Sequence, residues 1–161
     1  MKNEALVKFN VVRPLMKTDH KRALPANTGG SQSDINKDHY MEKDGRVFAG
    51  SHLIIDCYGA KRLDDLSLMD TVLRECVEKS LATLLHIHLH HFTSSGGISG
   101  VAVLAESHIS VHTWPEREFA AFDIFMCGKA KPEESIPVIK RAFAPRTIKI
   151  SEILRGVNHD A

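Results

Sequence analysis

Between Ser99 and Gly128 the chain sets hydroxyls, carboxylates, imidazoles and a thiol at short intervals: Ser99, Glu106, Ser107, His108, His112, Glu116, Asp123 and Cys127. A serine becomes a nucleophile when a base takes its proton, carboxylates and imidazoles carry protons, and a thiol does either job. Any one of these in a strand is ordinarily just packed or hydrogen-bonded. Together they are costly to desolvate, and such clusters point to chemistry. A second group, His86, His88, His90 and His91, alternates imidazoles along one segment. That face could donate to a metal, but no carboxylate or cysteine at ligand spacing completes the set, and a solvated or helix-shielded polar face is the nearer reading.

The elements that must carry these residues are legible from periodicity. HLIIDCY, bounded by Gly50 and Gly59, is a short apolar, β-branched run suited to a buried strand. Leu66, Met69, Leu73, Cys76 and Val77 then recur at intervals of three and four, the stripe of an amphipathic helix. In TLLHIHLHHF, Leu85, Ile87 and Leu89 alternate with His86, His88 and His90, a strand with one apolar and one imidazole face. TSSGGISG breaks it. VAVLAE, SHISVHTW and EFAAFDIFMC read as three more strands, with Pro115 and Glu116 in the turn between the last two. KPEESIPVIKRAF predicts a second helix, with Glu133 and Glu134 in its first turn and Pro137 inside it, and RTIKISEI a final strand. The order strand, helix, four strands, helix, strand predicts an α/β protein: a two-layer α/β sandwich, with a mainly antiparallel sheet and the helices on one face. On a strand, His108 points away from the face of Ser107. Asp123, between Phe122 and Ile124, is left without a role.

Composition limits what this scaffold does. The chain has 161 residues, 21 Lys+Arg against 20 Asp+Glu and a formal charge of +1, so neither a nucleic acid nor an anionic membrane surface is implied as partner. A small molecule is. No apolar run approaches the roughly 18 residues that span a bilayer, and the first residues lack the apolar stretch of a secretory signal. Cys57, Cys76 and Cys127 are too few and odd in number for a disulfide framework, which favours reduced thiols in the cytoplasm. Cys57 and Cys76, in apolar settings, read as small buried hydrophobes. Residues 1–48, rich in Asn, Ser, Gly, Asp and Lys, read as an N-terminal extension, mobile in part, with LVKFNVV as a candidate short strand; residues 49–161 read as one domain.

The run AESHISVHTWPE followed by DIFMCG, with HLIIDCYG before the first helix and SGVAVLAESH at the centre, resembles the prokaryotic, pyruvoyl-dependent S-adenosylmethionine decarboxylases over roughly Ser51 to Gly156. The resemblance implies that the chain cuts itself between Glu106 and Ser107. In that family the serine hydroxyl attacks the preceding carbonyl, the resulting ester is opened by β-elimination, and hydrolysis leaves a pyruvoyl group, here generated from Ser107, and ammonia. His112 matches the position that carries a proton in the elimination, and Ser99 one that assists the rearrangement. Imidazole suits the task because it exchanges protons near neutral pH. The pyruvoyl ketone forms a Schiff base with the amino group of S-adenosylmethionine and drains electrons from it as CO2 leaves. Cys127 aligns with the acid that protonates the product, decarboxylated S-adenosylmethionine, which is the aminopropyl donor for spermidine. Glu116 matches a carboxylate that accepts from the ribose hydroxyls, and Trp114 and Phe92 are candidates for stacking on adenine or facing the sulfonium. The family further implies a homodimer of cleaved protomers.

Other readings fit the same motif. Relatives on this scaffold decarboxylate arginine or ornithine, and the processing residues alone do not separate them; Glu116 and Trp114 in HTWPE favour the nucleoside. An uncleaved regulatory homologue would have no use for Ser107, His112 and Cys127. A histidine-dependent metal protein would rest on His86 to His91 alone, and no metal site is assigned.

Overall fold

The computed structural model describes residues 40–105 and 107–157. The candidate strand LVKFNVV and Glu106 lie outside the described residues. Side-chain alternation decides the architecture. β3 (Gly50–Tyr58) buries Leu53, Ile55 and Cys57 on one face and turns His52, Ile54 and Asp56 to the other. β4 (Leu84–His91), β5 (Ile98–Leu104), β6 (His108–Trp114), β7 (Phe119–Met126) and β8 (Thr147–Arg155) complete a six-stranded sheet of order β4-β5-β6-β7-β3-β8. Every neighbouring pair is antiparallel.

Two helical crossovers cover one face. α1 (Leu66–Lys79) starts at Asp65, whose carboxylate accepts the Leu68 N–H at 2.9 Å. That bond and the Arg62 guanidinium hold the Asp65 carboxyl below its ordinary range. The helix buries Met69, Val72, Leu73, Cys76 and Val77. α2 (Ser135–Phe143) buries Val138, Ile139 and Phe143 against the same core. Burying such side chains contributes about 1.5–3 kcal/mol each, which holds the layers together without disulfide or metal. The predicted two-layer α/β sandwich is therefore the observed fold. One boundary differs: Pro132–Glu134 form a separate 3-10 turn, so Glu133 and Glu134 precede α2, and Pro137 lies in its first turn. There its missing N–H is one of those a helix start leaves unbonded anyway.

Residues 41–48, at the end of the proposed extension, form a hairpin that the composition did not reveal: β1 (Met41–Lys43) pairs with β2 (Arg46–Phe48). Asp44 and Gly45 both take positive φ, 53° and 72°, as a two-residue hairpin turn requires. Phe48 is fully buried, and Lys43 reaches Glu152 on β8.

Candidate active site

Among the described residues, the opposite face of the sheet carries no helix. Registers place His90, Ser99, His112, Ala121 and Asp56 in one row across it. Exposed on the same face are Ile54, Tyr58, Val103, Trp114 and Ile153. The expected site residues fall into two groups at opposite ends of β6, the first of them on this open face.

The first group is Ser99 and His112, paired in register and joined by a 2.8 Å hydrogen bond between Ser99 Oγ and His112 Nδ1. The backbone that holds them is fixed from the helix side. Thr113 Oγ1 accepts the Ile98 N–H and donates to the Leu63 carbonyl, both at 2.8 Å, and Thr113 is buried. Gly100, next to Ser99, has no room for a side chain: a Cβ there would stand 2.6 Å from the His88 carbonyl oxygen. With Ser99 and His112 lies Trp114, 41% exposed, followed by Glu116 in the 3-10 turn Pro115–Arg117. Glu116 is exposed and has no ion-pair partner among the described residues. Glu118 differs: it bonds Lys61 and Arg146, and the Lys61 ammonium, with Arg146 behind it, holds its carboxyl below the usual range. Phe92 follows β4 at the mouth of the 92–97 loop, 44% exposed, its ring edge-on to His90 at 4.5 Å.

Periodicity did not single out the rings beside Trp114. Phe119 lies 5.3 Å from Trp114 and Tyr58 lies 5.1 Å from Phe119, centroid to centroid, so three aromatics from three strands make one shelf. Partial burial, and the bond its hydroxyl donates to Asp56 at 3.1 Å, raise Tyr58 above the ordinary phenol range. Only the pairing of β7 with both β6 and β3 reveals the shelf, because the three residues are far apart in sequence.

The second group lies at the other end. The β5–β6 hairpin closes through the Leu104 N–H to the Ser107 carbonyl at 3.0 Å, which places Ser107 at its turn. The Ser107 hydroxyl is buried with no hydrogen-bond partner among the described residues. An unsatisfied buried hydroxyl costs about 1–3 kcal/mol and calls for an explanation. Because β6 pairs His108 with Phe125, Ser107, the residue before β6, and Cys127, the residue after Met126 at the end of β7, leave the sheet at the same end. His108 is exposed. From Ser107 to His112 is five residues of extended chain, about 17 Å, so one protomer does not bring the two groups together.

The cysteines differ in a measurable way. Burial pushes the Cys57 and Cys76 thiols up to about 12, while Cys127 is half-buried. Native protein at neutral pH is expected to take up a thiol-specific alkylating label at Cys127 alone, and at all three cysteines once denatured; peptide mass mapping reads both. Fast labelling of Cys57 or Cys76 would mean that the helix layer opens.

No three metal-ligating side chains converge within the chain among the described residues, and no described helix is long and apolar enough to cross a membrane. A cleft of about 210 Å³ lies between the β1–β2 hairpin and the loop after Cys127, lined by Lys43, Ser51, Lys131 and Glu152 among others. It is smaller than the roughly 300 Å³ at which ligand sites begin, and it is not beside Ser99 and His112.

A pyruvoyl group fits position 107, where the hydroxyl is buried, the segment is a hairpin turn and Cys127 leaves the sheet at the same end. Comparison with known proteins identifies the family. A family model described as S-adenosylmethionine decarboxylase matches residues 51–156. The S-adenosylmethionine decarboxylase proenzyme of Thermomicrobium roseum is 37% identical over 109 residues, 67% of this chain and 94% of that protein. That of Methanococcus maripaludis is 42% identical over 114 residues, 69% of this chain and 93% of that protein. The crystal structure of the adenosylmethionine decarboxylase from Aquifex aeolicus superposes with a TM-score of 0.63 at 28% identity, covering 71% of this chain and 96% of that one. Matched by the family model over residues 51–156 and by these relatives over two thirds of its length, this chain belongs to the S-adenosylmethionine decarboxylase family.

Proposed function

We propose that the chain cuts itself between Glu106 and Ser107 and then decarboxylates S-adenosylmethionine as a homodimer whose two sites are each shared between copies. The observation that carries this is the buried, unpartnered Ser107 hydroxyl at the hairpin tip. Attack by Ser107 Oγ on the Glu106 carbonyl converts the amide link to an ester. Removal of the Ser107 Cα proton expels the Glu106 carboxylate and leaves dehydroalanine, whose imine form takes up water and loses ammonia. A base is needed for that proton, and the Ser99–His112 pair is suited: Ser99 holds Nδ1, which leaves Nε2 of His112 to exchange protons. The pyruvoyl group so formed supplies the electron sink for decarboxylation. Cys127 donates the proton that replaces the lost carboxyl group. Glu116 accepts from the ribose hydroxyls, and the Trp114–Phe119–Tyr58 shelf, with Phe92, offers apolar faces to adenine or the sulfonium.

The second copy follows from distance. Ser107 and Cys127 stand about 17 Å from Ser99 and His112 within a protomer, and the hairpin tip lies beyond the last β6 pair. A two-fold axis lying between two stacked sheets and perpendicular to the strands exchanges the ends of β6. It sets Ser107 of each copy against the Ser99–His112 pair of its mate and covers the exposed apolar residues of the open face. Purified protein incubated separately with carboxyl-labelled S-adenosylmethionine and carboxyl-labelled arginine is expected to release labelled CO2 from the first alone. Release from arginine alone would move the substrate to the basic amino acids.

A further inference from the structure

The histidines of β4 play no part in this chemistry, and the shared-site reading gives them a place. The midpoint of Ser107 and His112 on β6 falls between Ile109 and Ser110. Registers carry that level to Ala102 and Val101 on β5, and from there to Ile87 and His88 on β4. An axis that exchanges the ends of β6 therefore crosses β4 beside His88 and lays that strand on its own copy, running the other way. His86, His88 and His90 all share the open face with Val103, Val101 and Ser99, and all three are exposed in the single chain. Residues two apart on one strand face stand about 6.7 Å apart, a span that two imidazoles close around one ion at bonds of about 2.0–2.1 Å. Facing sheets pack about 10 Å apart, so imidazoles from both copies reach the same space.

We infer that the paired β4 edges of the dimer bind a divalent transition metal through His86 and His88 of both protomers. This rests on the shared-site reading above. The sequence set looked incomplete because a single strand offers too few ligands for a closed site, and a single chain gathers no third ligand; the mate supplies the missing pair. Four neutral imidazoles are a donor set for zinc, nickel or copper, and a closed four-coordinate site with no open position is structural rather than catalytic. Such an ion ties the two protomers together at the edge farthest from β8 and holds the shared sites in register.

The test uses tag-free, self-cleaved protein stripped with a chelator and titrated with zinc alone, by calorimetry and by sedimentation. Wild type is expected to bind one zinc per dimer. Linkage then tightens the dimer about a hundredfold when zinc stands at a hundred times its own dissociation constant. His88→Ala and the milder His88→Asn are expected to lose both effects, while His91→Ala, whose side chain alternates to the other face beside Ile98, keeps them. A dimer that binds no zinc, or one that binds it equally well in the His88 and His91 variants, overturns the metal site and leaves the shared active site standing. A monomer that is fully active overturns the shared-site reading itself, whatever zinc does.

Discussion

Replacing Ser107 with alanine is expected to leave one uncut chain of 161 residues where the proposed self-cleavage gives fragments 1–106 and 107–161, and to abolish decarboxylation outright. The expectation is absolute because the reaction begins with an oxygen nucleophile on the β-carbon, and alanine has none. Nor does the mate's Ser99 hydroxyl substitute, since the ketone forms only when the attacking oxygen sits on the β-carbon of residue 107 itself and can be eliminated from it. Loss of activity through misfolding is separable on physical grounds. The Ser107 hydroxyl is buried without a partner, and such a group destabilises by about 1–3 kcal/mol. Removing it therefore leaves thermal stability unchanged or raised. Intact mass, a hydrazine-type carbonyl reagent and a melting curve read the three consequences together. An alanine variant that still splits at residue 106, or still yields a trappable carbonyl, would end the serine mechanism. A single uncut chain with a lowered melting point would show that the hydroxyl is structural in a way the buried geometry does not suggest.

How far the sequence alone carried this picture depends on the range of the signal. Strand and helix order was readable because periods of two and 3.6 are local: Leu85, Ile87 and Leu89 against the histidines, and Met69, Leu73, Cys76 and Val77 on α1, each declare a face within one element. The Asp44–Gly45 turn is equally local, but it sits inside a polar stretch whose composition masks it. The start of α2 was misjudged because Glu133 and Glu134 suit a 3-10 turn as well as a first helical turn. The site was legible by residue type and resemblance, but its division was not. Ser99 and His112 meet only through β5–β6 pairing, and Tyr58 joins Trp114 only through β7. Spacing along a strand did contain the clue that Ser107 and His112 are far apart, since five extended residues cannot fold back on themselves.

That separation has a consequence in mixed dimers. The Ser107→Ala chain keeps Ser99 and His112, and a His112→Ala chain keeps Ser107 and Cys127. Each is expected to be inactive alone, because both sites of either homodimer lack one of the two groups. Coexpressed, they form heterodimers in which one site combines Ser107 of the His112→Ala chain with His112 of its mate, and so is intact; the other carries both defects. If chains pair at random, half the dimers are mixed and one site in two works, so activity returns to about a quarter of wild type from nothing. Cleavage follows the same rule and falls only on the His112→Ala chain, which differential tags make visible. Were each site built within one protomer, the mixed dimer would hold two defective sites and no activity would return, so the coexpressed pair separates the arrangements by presence against absence. A His112→Ala homodimer that cleaves and turns over like wild type would instead remove His112 from the machinery, leaving Ser99 or water as the proton carrier for the elimination.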